Sequence, residues 1–147
     1  MAATILWFGE GASHVANAAV DWDTDTINVM LTTSTYVPNQ DTHNFRDDVT
    51  NEITGTGYVA GGAALAGKTR TYDAGTNEVR LDATDLTWTG LDPAAAFRYG
   101  VIYKARGGAA SADELVAYID FGADQDPGGS DFTIQWAATG VLKAVVS

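Results

Sequence analysis

The chain of 147 residues carries 19 acidic side chains against 8 basic ones, a formal net charge of -11, and no cysteine. Its length suits one domain with a core of its own. The missing cysteines exclude disulfide scaffolds, thiolate zinc sites, iron–sulfur clusters and thiol nucleophiles. The acid excess argues against a nucleic-acid partner, which needs a concentrated basic face.

No Lys or Arg precedes the apolar stretch Ile5-Leu6-Trp7-Phe8, and the first basic residue is Arg46. No export signal is therefore expected, for want of its charged start, and no apolar run approaches the roughly 18 residues that span a bilayer. The chain is expected to fold in a cytoplasm, without a membrane partner. Residues 1–20 read as an extended arm or edge strand, with a short helix over residues 13–20 capped by Ser13 as the other reading. A strand is predicted over residues 27–33. Residues 44–53 read as a helical turn or two, with Thr42 as the N-cap.

Beyond residue 68 the pattern is that of an antiparallel β protein, with short alternating runs separated by Gly, Asp and Asn clusters. Residues 69–72 and 79–81 flank Asp73-Ala74-Gly75-Thr76-Asn77, a hairpin loop in which Gly75 can supply a positive φ. A short strand is predicted over residues 86–89. The run Phe97-Arg98-Tyr99-Gly100-Val101-Ile102-Tyr103-Lys104 places Phe97, Tyr99, Val101 and Tyr103 on one face, as in a long half-buried strand. Residues 115–121 are apolar nearly throughout, which predicts a strand covered on both sides. Residues 132–136 alternate again, and residues 141–146 form a final apolar segment. The fold expected from this punctuation is a single-domain antiparallel β-sandwich over residues 1–147, jelly-roll-like, with at most one short helix. Charge is uneven along it. Residues 1–67 hold eight acids against Arg46 alone, a net of -7, and residues 68–147 hold eleven against seven, a net of -4.

Candidate chemistry is sparse. Asp21-Trp22-Asp23-Thr24-Asp25 has the opening carboxylate spacing of a calcium loop, but Thr26 stands where Gly is required and Thr32 where a bidentate Glu is required. A solvated turn is the favoured reading, and no metal is expected; a looser calcium site drawing on Asp124, Asp126 or Asp131 stays open. Gly55-Thr56-Gly57-Tyr58-Val59-Ala60 matches the G-x-G-x-x-A dinucleotide fingerprint, which works only between a strand and a helix. Gly61 and Gly62 weaken any such helix, so a glycine loop between β elements is expected, without a cofactor. His14 and His43 read as surface or loop histidines. No G-x-S-x-G or H-E-x-x-H motif occurs. Of the four tryptophans, Trp88 and Trp136 sit in alternating runs and are expected in the core, whereas Trp7 and Trp22 are the candidates for exposed or interface aromatics.

Several segments together resemble a family of small structural proteins encoded by tailed bacteriophages. They are residues 27–33, Tyr36-Val37-Pro38-Asn39-Gln40-Asp41-Thr42-His43, residues 48–53, Gly55-Thr56-Gly57-Tyr58-Val59-Ala60-Gly61-Gly62 with Leu65, Thr71-Tyr72-Asp73-Ala74, Leu86-Thr87-Trp88, Arg98-Tyr99-Gly100-Val101-Ile102-Tyr103 and Ile119-Asp120-Phe121-Gly122. The resemblance covers most of the chain from about Asp21 to Leu142. It implies a non-enzymatic virion component built as a β-sandwich and made in the host cytoplasm. Such a protein would be a capsid decoration (cement) protein bound to the phage major capsid protein, or alternatively a tail-associated or host-glycan-binding module. The resemblance carries no catalytic residue. Closed symmetry favours a homo-oligomer, and a trimer suits a threefold junction of a shell. The residues expected at its contacts are Trp7, Phe8, Gly57, Tyr58 and Val59.

Overall fold

The computed structural model describes residues 3–146. In chain order the strands are β1 (Thr4–Trp7), β2 (Ile27–Thr32), β3 (Gly55–Thr56), β4 (Ala63–Ala64), β5 (Thr69–Asp73), β6 (Glu78–Asp82), β7 (Leu86–Pro93), β8 (Phe97–Lys104), β9 (Leu115–Gln125), β10 (Ser130–Ile134) and β11 (Leu142–Val145). A single α-helix among the described residues, α1 (Gly9–Ala16), follows β1. The strands form a five-stranded sheet in the order β1-β9-β8-β2-β4 and two three-stranded sheets, β10-β7-β3 and β11-β6-β5. Every pairing is antiparallel. The architecture is all-β and sandwich-like, as the alternating runs predict.

Register explains which side chains are buried. Trp7, Ala117, Ile102 and Val29 stand side by side across the five-stranded sheet, and Ile5, Ile119, Gly100 and Leu31 form the next row on the same face. These rows join Leu81, Leu86, Trp88, Ile134 and Leu142 from the two smaller sheets in one core. The opposite face carries Leu6, Tyr118, Val101 and Met30. It is covered by Phe8, Tyr36 and Val49, which make a second, smaller core with Met30, Val101, Tyr103 and Leu115. The centre of β8 is therefore buried on both faces, where alternation alone suggests half-burial.

Three further expectations are corrected. Phe97 does not share a face with Tyr99, Val101 and Tyr103. The pairing jumps from Phe97 opposite Gln125 to Tyr99 opposite Asp120, and this bulge turns Phe97 into the inner core, edge-on to Phe121 and Phe132 at 5.7 and 4.9 Å. Bulges re-aim side chains in this way. The helix lies at residues 9–16 instead of 13–20 or 44–53. It ends at Asn17, just before Ala18, whose φ of 63° stops it. Residues 44–53 contain only a 3-10 turn, Arg46–Asp48, because the Asp48 carboxylate accepts the N–H groups of Asn44 and Phe45 at 2.7 and 3.2 Å. Glu52 and Ile53 then pair along β2, with Ile53 N–H on Leu31 C=O at 3.0 Å. In the β5–β6 hairpin the left-handed residue is Asn77, φ 54°, and not Gly75.

Candidate functional site

The glycine loop of residues 55–62 sits at the β4 edge of the five-stranded sheet and is held from several sides. β3 pairs its first two residues with Pro93 and Asp92 of β7. Tyr58 Oη donates to Glu52 Oε1 at 2.7 Å and accepts the Leu31 N–H at 3.0 Å. The same Glu52 oxygen accepts the Gly61 N–H at 2.6 Å, and Tyr103 Oη donates to the Gly61 carbonyl at 2.6 Å. Burial pushes the Tyr58 phenol well above its ordinary pKa, with the Glu52 carboxylate adding to the rise while the bond from Leu31 opposes it. Gly62 has φ 81°, and a Cβ there would lie 1.8 Å from the Val29 carbonyl oxygen, so only glycine lets the loop return this close to β2. Between these braces Val59 stands 74% exposed. The loop runs from strand to strand with no helix after it, so it lacks the geometry of a dinucleotide fingerprint.

Trp7 and Phe8 lie elsewhere. β1 is the opposite edge strand of the same sheet, four strands from β4, or about 19 Å at the usual strand spacing. The five expected contact residues therefore do not form one patch. Phe8 is fully buried under Tyr118, with ring centroids 5.1 Å apart, and presents no side-chain surface to a neighbour. Tyr58 is a brace more than a contact. Gly57 and Val59 are exposed, and Trp7 is half-buried.

Trp7 instead lines an open cleft between the β1 and β11 edges, about 500 Å³ in volume, together with Ile5, Ile134, Trp136, Gln135 and Thr139. Its indole N–H crosses from β1 to donate to the Lys143 carbonyl of β11 at 3.2 Å. The Trp136 indole N–H donates to the Thr84 carbonyl at 3.0 Å, and its backbone N–H to Asp85 Oδ1 at 3.0 Å. Two expectations about the tryptophans change here. Trp22 is not an exposed aromatic but 1% exposed, its indole donating to the Asp82 carbonyl at 2.9 Å. Trp136 lies just beyond the end of β10 and is half-buried at the cleft, not enclosed in the core.

The acidic turn and the histidines take local roles. Asp21 Oδ1 accepts the Asp23 N–H at 3.1 Å, and Asp25 Oδ2 accepts the Asp21 N–H at 2.7 Å while meeting Lys104 Nζ at 2.8 Å. Asp23 turns towards Arg70 at 3.7 Å. The three carboxylates thus serve separate partners. Among the described residues no group of three or more carboxylates or imidazoles is placed to hold one ion. His14 is not a surface residue: it is 7% exposed on α1, with Nδ1 3.1 Å from the Leu115 carbonyl. His43 Nδ1 lies 2.9 Å from Tyr36 Oη in a loop.

Sequence reasoning missed Glu52, whose carboxylate ties Tyr58 to Gly61 within the glycine loop. A polar-to-apolar step at Glu52-Ile53 just before the glycines is its only trace. It also missed the partnership of Trp7 with Trp136, 129 positions apart in the chain. Comparison of the chain with protein-family models, curated proteins and solved structures finds no match.

Proposed function

We propose that this chain is a non-enzymatic virion structural protein, a decoration (cement) protein that docks on the major capsid protein of a tailed phage and stabilises the head. The observation that carries the reading is the glycine loop. Its base is fixed by Glu52, Tyr58 and Gly62, yet it presents Val59 74% exposed. Loops held by a rigid scaffold are common carriers of binding function, and fixing one before binding lowers the entropy lost on association. The same segment is among the most specific parts of the phage resemblance. A small acidic domain also meets the physical needs of such a part, because its net charge of -11 keeps free copies apart until they meet a shell. Copies gathered as a trimer at a threefold junction would repeat the loop around the axis.

The test is binding to expanded, undecorated capsids. The protein should bind at saturable sites and raise the shell's melting temperature. Val59→Asp should weaken that binding by tenfold or more, about 1.4 kcal/mol, while leaving the isolated protein's Tm unchanged, because Val59 has little burial to lose. Unaltered binding of the variant, or virion imaging that places the protein at the tail tip, overturns the reading.

A further inference from the structure

We propose that the cleft between β1 and β11 binds a neutral saccharide, at the edge of the molecule opposite the glycine loop. This goes beyond the decoration reading and holds whether the protein sits on a head or a tail. Two aromatic rings, Trp7 and Trp136, line one open cleft. Both indole N–H groups are engaged by backbone carbonyls, at Lys143 and Thr84. The rings are thus fixed in place and offer carbon surface, the face on which the C–H side of a pyranose packs. The volume of about 500 Å³ falls within the roughly 300–1,000 Å³ of small-molecule clefts.

The charge of the lining selects the ligand class. The chain holds 19 acids in 147 residues, yet no Asp or Glu is among the residues lining this cleft. Among the described residues of the lining the charged one is Lys143, and its Nζ is engaged by Glu78 Oε1 at 2.9 Å. Asp85, which accepts the Trp136 N–H, and Glu78, which pairs with Lys143, are not in the lining. No carboxylate therefore lines the cleft to receive a cation, and an anion finds an ammonium whose charge is already matched. The polar groups that remain are the Gln135 amide and the Thr139 hydroxyl, both exposed, which can exchange hydrogen bonds with sugar hydroxyls. An added peptide strand is the competing occupant, since β1 and β11 are both edge strands. Both edges are obstructed, however: Gln40 Nε2 caps the Trp7 carbonyl at 2.7 Å, and the Trp7 indole caps that of Lys143. A strand docking on β1 would have to break the first bond and one docking on β11 the second, whereas a sugar stacked on the rings breaks neither.

The experiment uses the full chain on a printed array of neutral, sialylated and uronic-acid glycans. The best neutral hit is then titrated by calorimetry and by amide chemical-shift mapping. At least one neutral glycan should bind, with shifts confined to residues around the cleft. Gln135→Ala should lower its affinity about fivefold, and Trp136→Ala about tenfold or more. Gln135 is exposed, so its variant tests the site even if removal of Trp136 perturbs the fold. The proposal is overturned if no neutral glycan binds, if only acidic glycans bind, or if neither variant weakens the interaction. Shifts at the cleft caused by an apolar strand-forming hexapeptide, and by no saccharide, would also overturn it. Capsid binding by Val59→Asp is read separately, so failure of one assignment is distinguishable from failure of the other.

Discussion

Glu52 shows how one side chain can set the geometry of a loop that contains no charge of its own. Its Oε1 receives the Tyr58 hydroxyl and the Gly61 N–H, donors three residues apart on the two arms of a turn. Glu52→Ala leaves both donors without this acceptor, and a lost partner at a buried group costs about 1–3 kcal/mol. Glu52→Gln retains an acceptor oxygen and should recover most of that loss. Denaturant unfolding of the two variants checks the ordering, and equal losses would show that charge matters here instead of the acceptor. The segment's glycines were legible in the sequence as a loop; its rigidity was not, because the brace comes from a residue that reads as ordinary surface charge. Trp22 misleads for a related reason. Flanked by Asp21 and Asp23 it looks exposed, but the two carboxylates bond to their own turn and to Arg70, and the indole between them turns inward onto Asp82.

At the scale of elements, β11 illustrates how the C-terminal strand is held by charge as well as by backbone pairing. Lys143 of β11 and Arg80 of β6 both engage Glu78, at 2.9 and 3.0 Å, and Arg80 also meets Asp73 of β5 at 2.9 Å. The bond from Lys143, then those from Arg80, hold the Glu78 carboxyl down at about 2, against about 4.3 in an unfolded chain. A carboxylate with a lowered folded-state pKa contributes stability that is complete above the unfolded value and lost as pH falls through the folded one. Glu78→Gln should therefore flatten the decline of Tm between about pH 4.5 and about pH 2. In the parent protein the amides of β11 should lose hydrogen-exchange protection over that window. A pH profile that the substitution leaves unchanged would show the ion pair to be idle. The strands were the most legible elements, since β8 has the bounds of the alternating run and β9 extends the apolar one. What could not be read was the bulge at Phe97, because it depends on four residues of β9, 121–124, that loop past a single residue of β8. The helix was misplaced because the close approach of α1 to β9 depends on Gly11, where a Cβ would lie 2.0 Å from the Val116 carbonyl oxygen. That approach is tertiary and leaves no local pattern.

At the scale of the whole molecule, the decisive feature is how the cations are used. Among the described residues, seven of the eight basic side chains, Arg46, Arg70, Arg80, Arg98, Lys104, Arg106 and Lys143, stand in internal ion pairs. Several of these pairs cross-link distant segments: Arg46 to Asp113 joins the loop after β2 to the loop before β9, and Lys104 to Asp25 joins β8 to the acidic turn. The positive charge is consumed in tying the chain together, and the excess of eleven negative charges is left to repel itself. Salt should then act in two opposite directions. Raising ionic strength from about 0.01 M to about 1 M shortens the Debye length from about 30 Å to about 3 Å. Screening of the net charge should raise Tm, because short and partly buried pairs such as Arg46–Asp113 are screened far less than distant surface charges. Over the same range the rate of association with a shell that meets this surface with basic groups should fall steeply, since attraction at a distance is what salt removes. Thermal melts and stopped-flow binding in one salt series separate the two effects. A Tm that falls with salt would mean that the ion pairs outweigh the self-repulsion, and an association rate indifferent to salt would mean that the negative surface faces away from the shell.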